Sequence, residues 1–261
     1  MRWDQTSKKT NVSKIIMIEE MQDRLNYEYL EKISKEHGDS FYFLHLNKFK
    51  KNYQQFLKSF TEVYKNSQIA YSYKTNYIPE ICKIVDSLGG YAEIVSSMEL
   101  KLAHSIGVDN KNIIFNGPYK DKESLKKVLL GGGIVNIDSQ EEYKIIKEIS
   151  RIENNNELKL AIRCNFEIED LSSRFGFDVK SKEFNNLVND INSTDKLVLG
   201  GLHCHFPNRN LQSYKTRIKT MIELTEFIFK DKAPEFINIG GGYFGNMDEK
   251  LKNQFEIEVP T

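Results

Sequence analysis

Apolar and polar residues follow a repeating pattern along most of this chain. From about residue 68 onward, short β-branched or aromatic runs alternate with segments whose apolar residues recur at helical spacing. The predicted strands are about 68–74, 91–95, 112–116, 133–137, 157–163, 197–205 and 235–240. The predicted helices between them are about 78–88, 97–106, 121–130, 139–152, 181–191 and 211–230. Strand–helix alternation of this kind is typical of a parallel sheet.

The first part of the chain shows a weaker pattern. Residues 1 to about 20 are polar and aperiodic until the apolar run Ile15-Ile-Met-Ile18, and we expect a loose lead-in there. A short helix is predicted over about 23–37, ending near Gly38, because glycine commonly terminates helices. A second helix is predicted over about 47–60 from its apolar spacing.

The predicted strands nearly complete a barrel. A closed (β/α)8 barrel needs eight strands, and the repeating part supplies seven. Either the strand-like run Phe41–Leu46 provides the eighth or the barrel is cut short, and we favour the second because no further strand follows Gly245. We therefore expect two parts, a lead-in with a short helix over residues 1–40 and an incomplete barrel domain over residues 41–261.

Charge and cysteine content limit the function classes. Lys and Arg number 37, as do Asp and Glu, so nothing favours binding to nucleic acid or an acidic membrane. The cysteines, Cys82, Cys164 and Cys204, are scattered and form neither a metal-ligand spacing nor a disulfide framework. The N-terminus lacks the apolar run of a signal peptide, and no segment approaches the length of a membrane span. We therefore expect a cytoplasmic protein.

Lys74 is the first candidate for chemistry. It ends the apolar run that begins at Ile69, and small polar residues and then Pro79 follow it. In a parallel α/β protein this spacing places the amine at the carboxyl end of a strand, the rim where such folds form active sites. A lysine there can form a Schiff base with an aldehyde cofactor or substrate.

Three consecutive glycines, Gly240, Gly241 and Gly242, follow the last predicted strand. A backbone without Cβ atoms can approach a ligand closely and turn its N–H groups toward an anion, and late-strand loops of barrels often bind phosphate. A tight turn between strand and helix is the alternative. A second triplet, at residues 131–133, precedes a strand and is interpreted as a helix stop on the opposite rim.

His203 and His205 are two residues apart on a predicted strand, so they share one face. A metal pair is one interpretation, but no carboxylate-rich set accompanies the pair and we expect no metal. His203 is also compatible with a structural role. His205 lies nearer the strand end, where its ring can pack flat against an aromatic cofactor.

Arg163 and Glu93 also stand at predicted strand ends. An arginine at a barrel rim needs a partner, because an unpaired charge there is costly. Arg163 could orient a cofactor ring or pair with a structural carboxylate, and Glu93 is a candidate partner. A surface salt bridge is the alternative, and spacing alone does not decide.

An amine, a flat ring and an anion cradle on one rim are the parts that pyridoxal phosphate requires. With these parts the chain resembles the N-terminal barrel of the fold-type III pyridoxal-phosphate enzymes, the alanine racemase-like fold. Within them it resembles the ornithine/diaminopimelate/arginine decarboxylase family. The motifs occur in family order: Tyr71-Ser-Tyr-Lys-Thr-Asn76, Glu93-Ile-Val-Ser-Ser-Met-Glu99, Phe115-Asn-Gly-Pro118, Ile137-Asp-Ser139, Ser173-Arg-Phe-Gly176, Gly201-Leu-His-Cys-His205 and Gly240-Gly-Gly242.

The resemblance implies pyridoxal 5'-phosphate as the cofactor and assigns roles to several residues. Lys74 would bind the cofactor aldehyde, His205 would stack on its ring, and the glycine triplet would hold its phosphate. Arg163 and Glu93 count as further cofactor-binding residues. Where the family carries a phosphate-binding serine, this chain has Asn208, preceded by Pro207, which removes an N–H.

The family's later elements are absent from this sequence. There is no Glu-Pro-Gly motif, whose acid partners the pyridine nitrogen, and no β domain with a catalytic cysteine and aspartate contributed across a dimer. The resemblance therefore implies the N-terminal, cofactor-binding portion of an amino-acid decarboxylase that works as a homodimer or with a C-terminal half. A racemase, or a non-catalytic binding module or partner subunit, is the alternative. Which amino acid would be the substrate stays open.

Overall fold

The structure is a computed structural model that describes residues 15–17, 26–152, 157–169, 173–245, 250 and 253. The chain divides into two compact units, Met1–Ile69 and Ala70–Thr261. All the candidate site residues named above belong to the second unit.

The first unit contains two short strands and two helices. They are β1 (Ile15–Met17), α1 (Tyr27–His37), β2 (Tyr42–Leu44) and α2 (Leu46–Thr61). Asn26 caps α1 by accepting a hydrogen bond of 2.8 Å from the backbone N–H of Tyr29, and β1 pairs with β2 in parallel. Because β1 lies in the segment expected to be a loose lead-in, that expectation is wrong for its three residues. The rest of the lead-in, residues 1–14 and 18–25, lies outside the described residues.

The second unit alternates strands and helices, as predicted. Its strands are β3 (Ala70–Ser72), β4 (Tyr91–Ile94), β5 (Ile113–Phe115), β6 (Ile134–Ile137), β7 (Leu158–Asn165), β8 (Phe177–Asp178), β9 (Leu197–His203) and β10 (Phe236–Asn238). Its helices are α3 (Pro79–Ser87), α4 (Ser97–Ser105), α5 (Lys122–Leu130), α6 (Gln140–Ser150), α7 (Lys182–Ser193) and α8 (Leu211–Phe229). The predicted strands and helices are thereby confirmed, whereas the two-residue strand β8 was not predicted.

The main sheet is parallel throughout. Its strand order is β3, β4, β5, β6, β7, β9, β10, and β8 pairs only with β7. Within the described residues no pairing joins β3 to β10, so the sheet has two edges. This is the incomplete α/β barrel that the sequence predicts.

Local sequence explains the elements. The middle strands are continuous apolar runs, such as Ile113, Ile114 and Phe115, all buried, as expected for parallel strands covered by helices. Most helices begin at a polar side chain that accepts a hydrogen bond from the first turn. These caps are Ser96, Asp121, Ser139, Ser181 and Asn210. Because every strand is parallel, the carboxyl ends of the strands share one rim, and the polar residues that follow them meet there.

Candidate cofactor site

Lys74 lies in the turn after β3. The hydroxyl and the backbone N–H of Thr75 donate to the carbonyl oxygen of Ser72 at 2.7 and 3.2 Å, which closes the turn. Tyr73 is buried and anchors the segment, while Lys74 is exposed. The positive charge of Lys74 contributes to the lowered pKa of His205, so the amine and the imidazole lie within electrostatic range of each other.

The two histidines lie at the end of β9. His203 is buried, and its Nε2 is 3.1 Å from Nδ2 of Asn116. His205 follows the strand and is half-buried. Burial, followed by the charges of Lys74 and Arg163, lowers the pKa of His205 to about 4. Burial also lowers the pKa of His203 well below its ordinary value, so both rings are neutral at neutral pH.

Arg163 pairs with Asp138 rather than with Glu93, the partner that the sequence suggested. Arg163 Nη1 donates to Asp138 Oδ2 at 2.6 Å, and both side chains are buried. Asp138 Oδ1 accepts from the backbone N–H of Gly176 at 2.9 Å. A Cβ at Gly176 would lie 2.5 Å from the Arg163 carbonyl oxygen, and its φ is +80°, so this contact requires glycine.

Glu93 is held by a residue that sequence reasoning left without a role. Asn116 Nδ2 donates to Glu93 Oε1 at 3.0 Å and also lies against His203. The Asn116 Oδ1 atom is buried and has no hydrogen-bond partner among the described residues. Asn116 therefore links the ends of β4, β5 and β9. Its position at the end of the predicted strand over about 112–116 was the available signal.

A buried ion pair supports the same rim. Lys120 Nζ donates to Glu142 Oε1 at 2.6 Å and to the carbonyl oxygens of Gly117 and Asn136 at 2.8 and 2.9 Å. Glu142 Oε2 in turn accepts from the backbone N–H of Asp138 at 3.2 Å. The pair thus fixes the backbone of the residue that holds Arg163. Sequence reasoning missed it, since neither residue stands at a strand end.

The glycine triplet after β10 forms a concave backbone. Gly240 has a φ of +77° and Gly242 a φ of +105°, conformations that favour glycine. A Cβ at Gly240 would lie 2.5 Å from the Cys204 carbonyl oxygen and 3.0 Å from His205 Nδ1, whereas one at Gly241 would meet nothing within 4 Å. Within the described part of the chain, the N–H groups of Gly241 and Gly242 have no acceptor. The triplet therefore fits an anion such as a phosphate.

Helix α8 ties the loop after β9 to the loop after β10. Arg217 is fully buried, and its Nη2 donates to the carbonyl oxygens of Phe206, at 3.1 Å, and Asn208. Its Nη1 reaches the Ile239 carbonyl oxygen at 3.5 Å. The Tyr214 hydroxyl donates to the Gly241 carbonyl oxygen at 2.9 Å. Both loops of the candidate site are thus held by one helix.

The Asn208 side chain already has a partner. Its Nδ2 donates to Glu169 Oε2 at 2.8 Å, and the Asn210 amide donates to the same carboxylate. Asn208 Oδ1 is buried and has no partner among the described residues. The expected contact between Asn208 and the phosphate stays a prediction.

The second glycine triplet ends a helix, as the sequence predicts, since Gly131 follows α5 and its backbone N–H donates to the Lys127 carbonyl oxygen at 3.1 Å before β6 begins.

A surface cavity of about 430 Å³ lies among residues that precede β7 and β9, at the opposite ends of the strands from the candidate site. No cluster of three or more metal-ligating side chains occurs in the described ranges. Among the helices described, none is long and apolar enough to cross a bilayer.

Comparison with protein-family models identifies a family for most of the chain. Residues 46–259 match the pyridoxal-dependent decarboxylase family, pyridoxal binding domain. The match implies pyridoxal phosphate as the cofactor, in agreement with the concave glycine backbone and the lysine of this rim.

The chain is also similar to curated decarboxylases. Diaminopimelate decarboxylase of Methanocaldococcus jannaschii is 27% identical over 239 residues, covering 83% of this chain and 53% of the relative. That of Aquifex aeolicus is 24% identical over 229 residues, covering 82% of this chain and 52% of the relative. The chain therefore spans about half the length of these relatives.

A solved structure shares the fold. The crystal structure of the M. jannaschii diaminopimelate decarboxylase, in co-complex with L-lysine, superposes with a TM-score of 0.72 at 21% identity. The superposition covers 88% of this chain and 61% of that one. The partial barrel is thus the fold of a known decarboxylase domain.

Proposed function

Because the chain belongs to the pyridoxal-dependent decarboxylase family, by its pyridoxal-binding domain, we propose that it attaches pyridoxal phosphate at Lys74 and forms the cofactor-holding part of an amino-acid decarboxylase. The relatives' names support this reaction class.

One observation carries the proposal: three candidate groups meet around His205. The position of a Cβ on Gly240 is 3.0 Å from His205 Nδ1, which brings the anion cradle against the ring. The charge of Lys74 acts on the same imidazole. These groups follow β3, β9 and β10, and because β3 and β10 are the two edge strands, their meeting requires the sheet to curl as it does in a barrel.

Each residue of this rim has a role in the proposal. Bound pyridoxal phosphate supplies an electron sink for cleavage next to the substrate amine. Lys74 holds the aldehyde carbon, and the neutral ring of His205 packs against the cofactor ring. The N–H groups of Gly241 and Gly242 receive the phosphate.

Two further residues of this rim, Arg163 and Glu93, are held in place by an ion pair and a hydrogen bond. The ion pair with Asp138 fixes the guanidinium of Arg163, and Asn116 fixes the carboxylate of Glu93. We propose that both line the cofactor site. A rigid, buried support of this kind limits how far each group can move from its working position.

The proposed substrate is an amino acid. The support is that the solved M. jannaschii relative is in complex with L-lysine and that a Selenomonas ruminantium relative is a lysine/ornithine decarboxylase.

We propose that activity requires a homodimer or a C-terminal half. The family match begins at residue 46, which supports a cofactor-binding domain over residues 41–261. The free thiols of all three cysteines support a cytoplasmic location.

The attachment site is directly testable. We expect that incubation with pyridoxal phosphate, reduction with borohydride and peptide mapping place the label on Lys74. Lys74→Arg should abolish the label. Lys83→Arg, which changes an exposed lysine on α3, should leave the label intact. Label on another lysine, or none, would overturn the proposal.

The reaction class needs a second measurement. Carbon dioxide release from diaminopimelate, lysine and ornithine tests decarboxylation, and chiral analysis of the recovered amino acid tests racemisation. Label at Lys74 with neither reaction would favour the non-catalytic binding module.

A further inference from the structure

The loop between His205 and α8 contains a cation to which neither the family match nor the resemblance gives a role. We propose that Arg209 binds the phosphate of the cofactor, as the charged side chain of this anion site. The inference rests on the proposed function, since it requires the cofactor to lie on this rim.

The first support is the position of Arg209. Its side chain lies along the glycine triplet, because a Cβ at Gly242 would lie 3.4 Å from its Cγ and Nε and 3.5 Å from its Cδ. Its guanidinium carbon is 5.7 Å from the centre of the Phe244 ring. The charge also reaches the neighbouring imidazole, since Arg209 contributes to the lowered pKa of His205.

The second support is that the charge of Arg209 is uncompensated. Arg209 is exposed, and it forms no ion pair with a carboxylate of the described residues. The two buried guanidinium groups nearby are engaged, that of Arg163 by Asp138 and that of Arg217 by backbone carbonyl groups.

The third support is that the amide side chains of the loop are turned toward a carboxylate, Glu169. Pro207 has no N–H. The side-chain amides of Asn208 and Asn210 donate to the carboxylate of Glu169. Arg209 therefore supplies the charged side-chain donors of this loop, and its guanidinium is not paired with a carboxylate of the described residues. The family's serine contact with phosphate would be replaced by a charged one.

The fourth support is that the backbone on both sides of Arg209 is fixed. Arg217 and Tyr214 hold the carbonyl groups of the two loops from α8. The N–H groups of Gly241 and Gly242 are neutral donors, so they do not balance the negative charge of a phosphate. A guanidinium beside them can form two parallel, charge-assisted hydrogen bonds with phosphate oxygens, which neither an asparagine nor a serine can do.

The test compares two ligands that differ only in the phosphate. Apparent dissociation constants of pyridoxal phosphate and pyridoxal are measured by absorbance titration on the full chain. The variants are Arg209→Gln, Arg209→Lys and Lys215→Gln, the last removing an exposed cation from α8 as a matched control. Thermal melts check that each variant is folded.

We expect Arg209→Gln to weaken binding of pyridoxal phosphate about tenfold, the loss of one charge-assisted contact, and to leave pyridoxal binding unchanged. The dependence of pyridoxal phosphate binding on salt should also decrease. Arg209→Lys should keep the salt dependence and recover part of the affinity. Lys215→Gln should behave as the wild type.

An unchanged ratio of the two dissociation constants in Arg209→Gln would overturn the role of Arg209 alone, provided that the wild type attaches the cofactor at Lys74. A wild-type chain that does not attach the cofactor would overturn the proposed function, and this inference with it. An equal weakening of both ligands would show a structural role for Arg209 and would also overturn the inference.

Discussion

Burial decides which side chains of the candidate site carry charge. Asp138 pairs with the buried guanidinium of Arg163 at 2.6 Å, and Glu142 pairs with the buried amine of Lys120 at 2.6 Å. No carboxylate of the described residues pairs with either histidine, and burial holds their pKa values below the ordinary range. The rim therefore combines compensated cations with neutral rings, which suits a ligand that is flat and anionic.

This state of the histidines predicts acid sensitivity of the cofactor-free chain. In the folded protein the pKa of His205 is about 4, below its ordinary value of 6.5. Between these two values the unfolded chain binds a proton at this position that the folded chain does not bind. Stability should therefore fall as pH falls from about 6.5 toward 4, by at most about 1.4 kcal/mol per pH unit for this residue.

The measurement is the free energy of unfolding from chemical denaturation at pH 7, 6 and 5, for the wild type and His205→Gln. Because the variant lacks this titration, its free energy should fall less steeply toward pH 5. Carboxylates with raised pKa values, such as Glu99, act in the opposite direction but contribute equally to both proteins. Parallel curves would contradict the prediction.

Individual site residues differed in how well the sequence located them. Lys74 and the glycine triplet were found because each directly follows an apolar strand, a signal that lies within one local segment. The partner of Arg163 was not found, because Asp138 stands 25 positions away and only the register between β6 and β7 brings the two together. The same holds for Arg217, whose guanidinium reaches backbone carbonyl groups that no pattern of side chains reveals.

At the level of elements, α8 is the support of the candidate phosphate site. Tyr214 and Arg217 are three residues apart and therefore lie on one face of the helix, together with buried Met221. The guanidinium of Arg217 also lies 4.4 Å from the centre of the Tyr214 ring, so the two side chains reinforce each other. The geometry of both loops thus depends on one helical face.

Tyr214→Phe tests this dependence with a minimal change. The variant removes the hydrogen bond to Gly241 and keeps the ring, so it should cost about 1 kcal/mol of unfolding free energy. Because the glycine backbone loosens, pyridoxal phosphate binding should weaken by about fivefold, whereas pyridoxal binding should not change. Chemical denaturation and absorbance titration measure the two effects.

The matched control for this change is Tyr27→Phe, which removes a hydroxyl from an exposed tyrosine of α1. It should alter neither quantity. If Tyr214→Phe lowers stability but weakens both ligands to the same extent, α8 serves stability alone and the positioning role is wrong.

The elements themselves were predictable to within a few residues, because the apolar periods of strands and helices are local properties. Strand β1 was missed because a run of four apolar residues inside a polar segment gives no alternation to count, and its pairing with β2 is a long-range event. Strand β8 was missed for a related reason, since its two residues pair with the end of β7 after an intervening loop.

For the whole molecule, the open sheet is the feature with the largest consequence. Within the described residues β3 pairs only with β4, and β10 only with β9. Unpaired edges of this kind present free backbone donors and acceptors, and closed barrels avoid them. The matched region covers about half the length of the curated relatives.

We therefore expect the purified chain to self-associate as its concentration rises, and we expect β10 to take part. Ile237, in the centre of β10, is 38% exposed, so its side chain adds an apolar surface to an unpaired edge. Ile237→Lys should reduce association, because a charged side chain on an edge strand opposes pairing with a second chain. The matched control is Tyr119→Lys, at an apolar residue that is 78% exposed but not in a strand, and it should leave association unchanged.

Sedimentation velocity over a range of concentrations measures the association of each variant. A wild-type chain that stays monomeric throughout and unfolds in one sharp transition would contradict this expectation, since its edges would then need no partner.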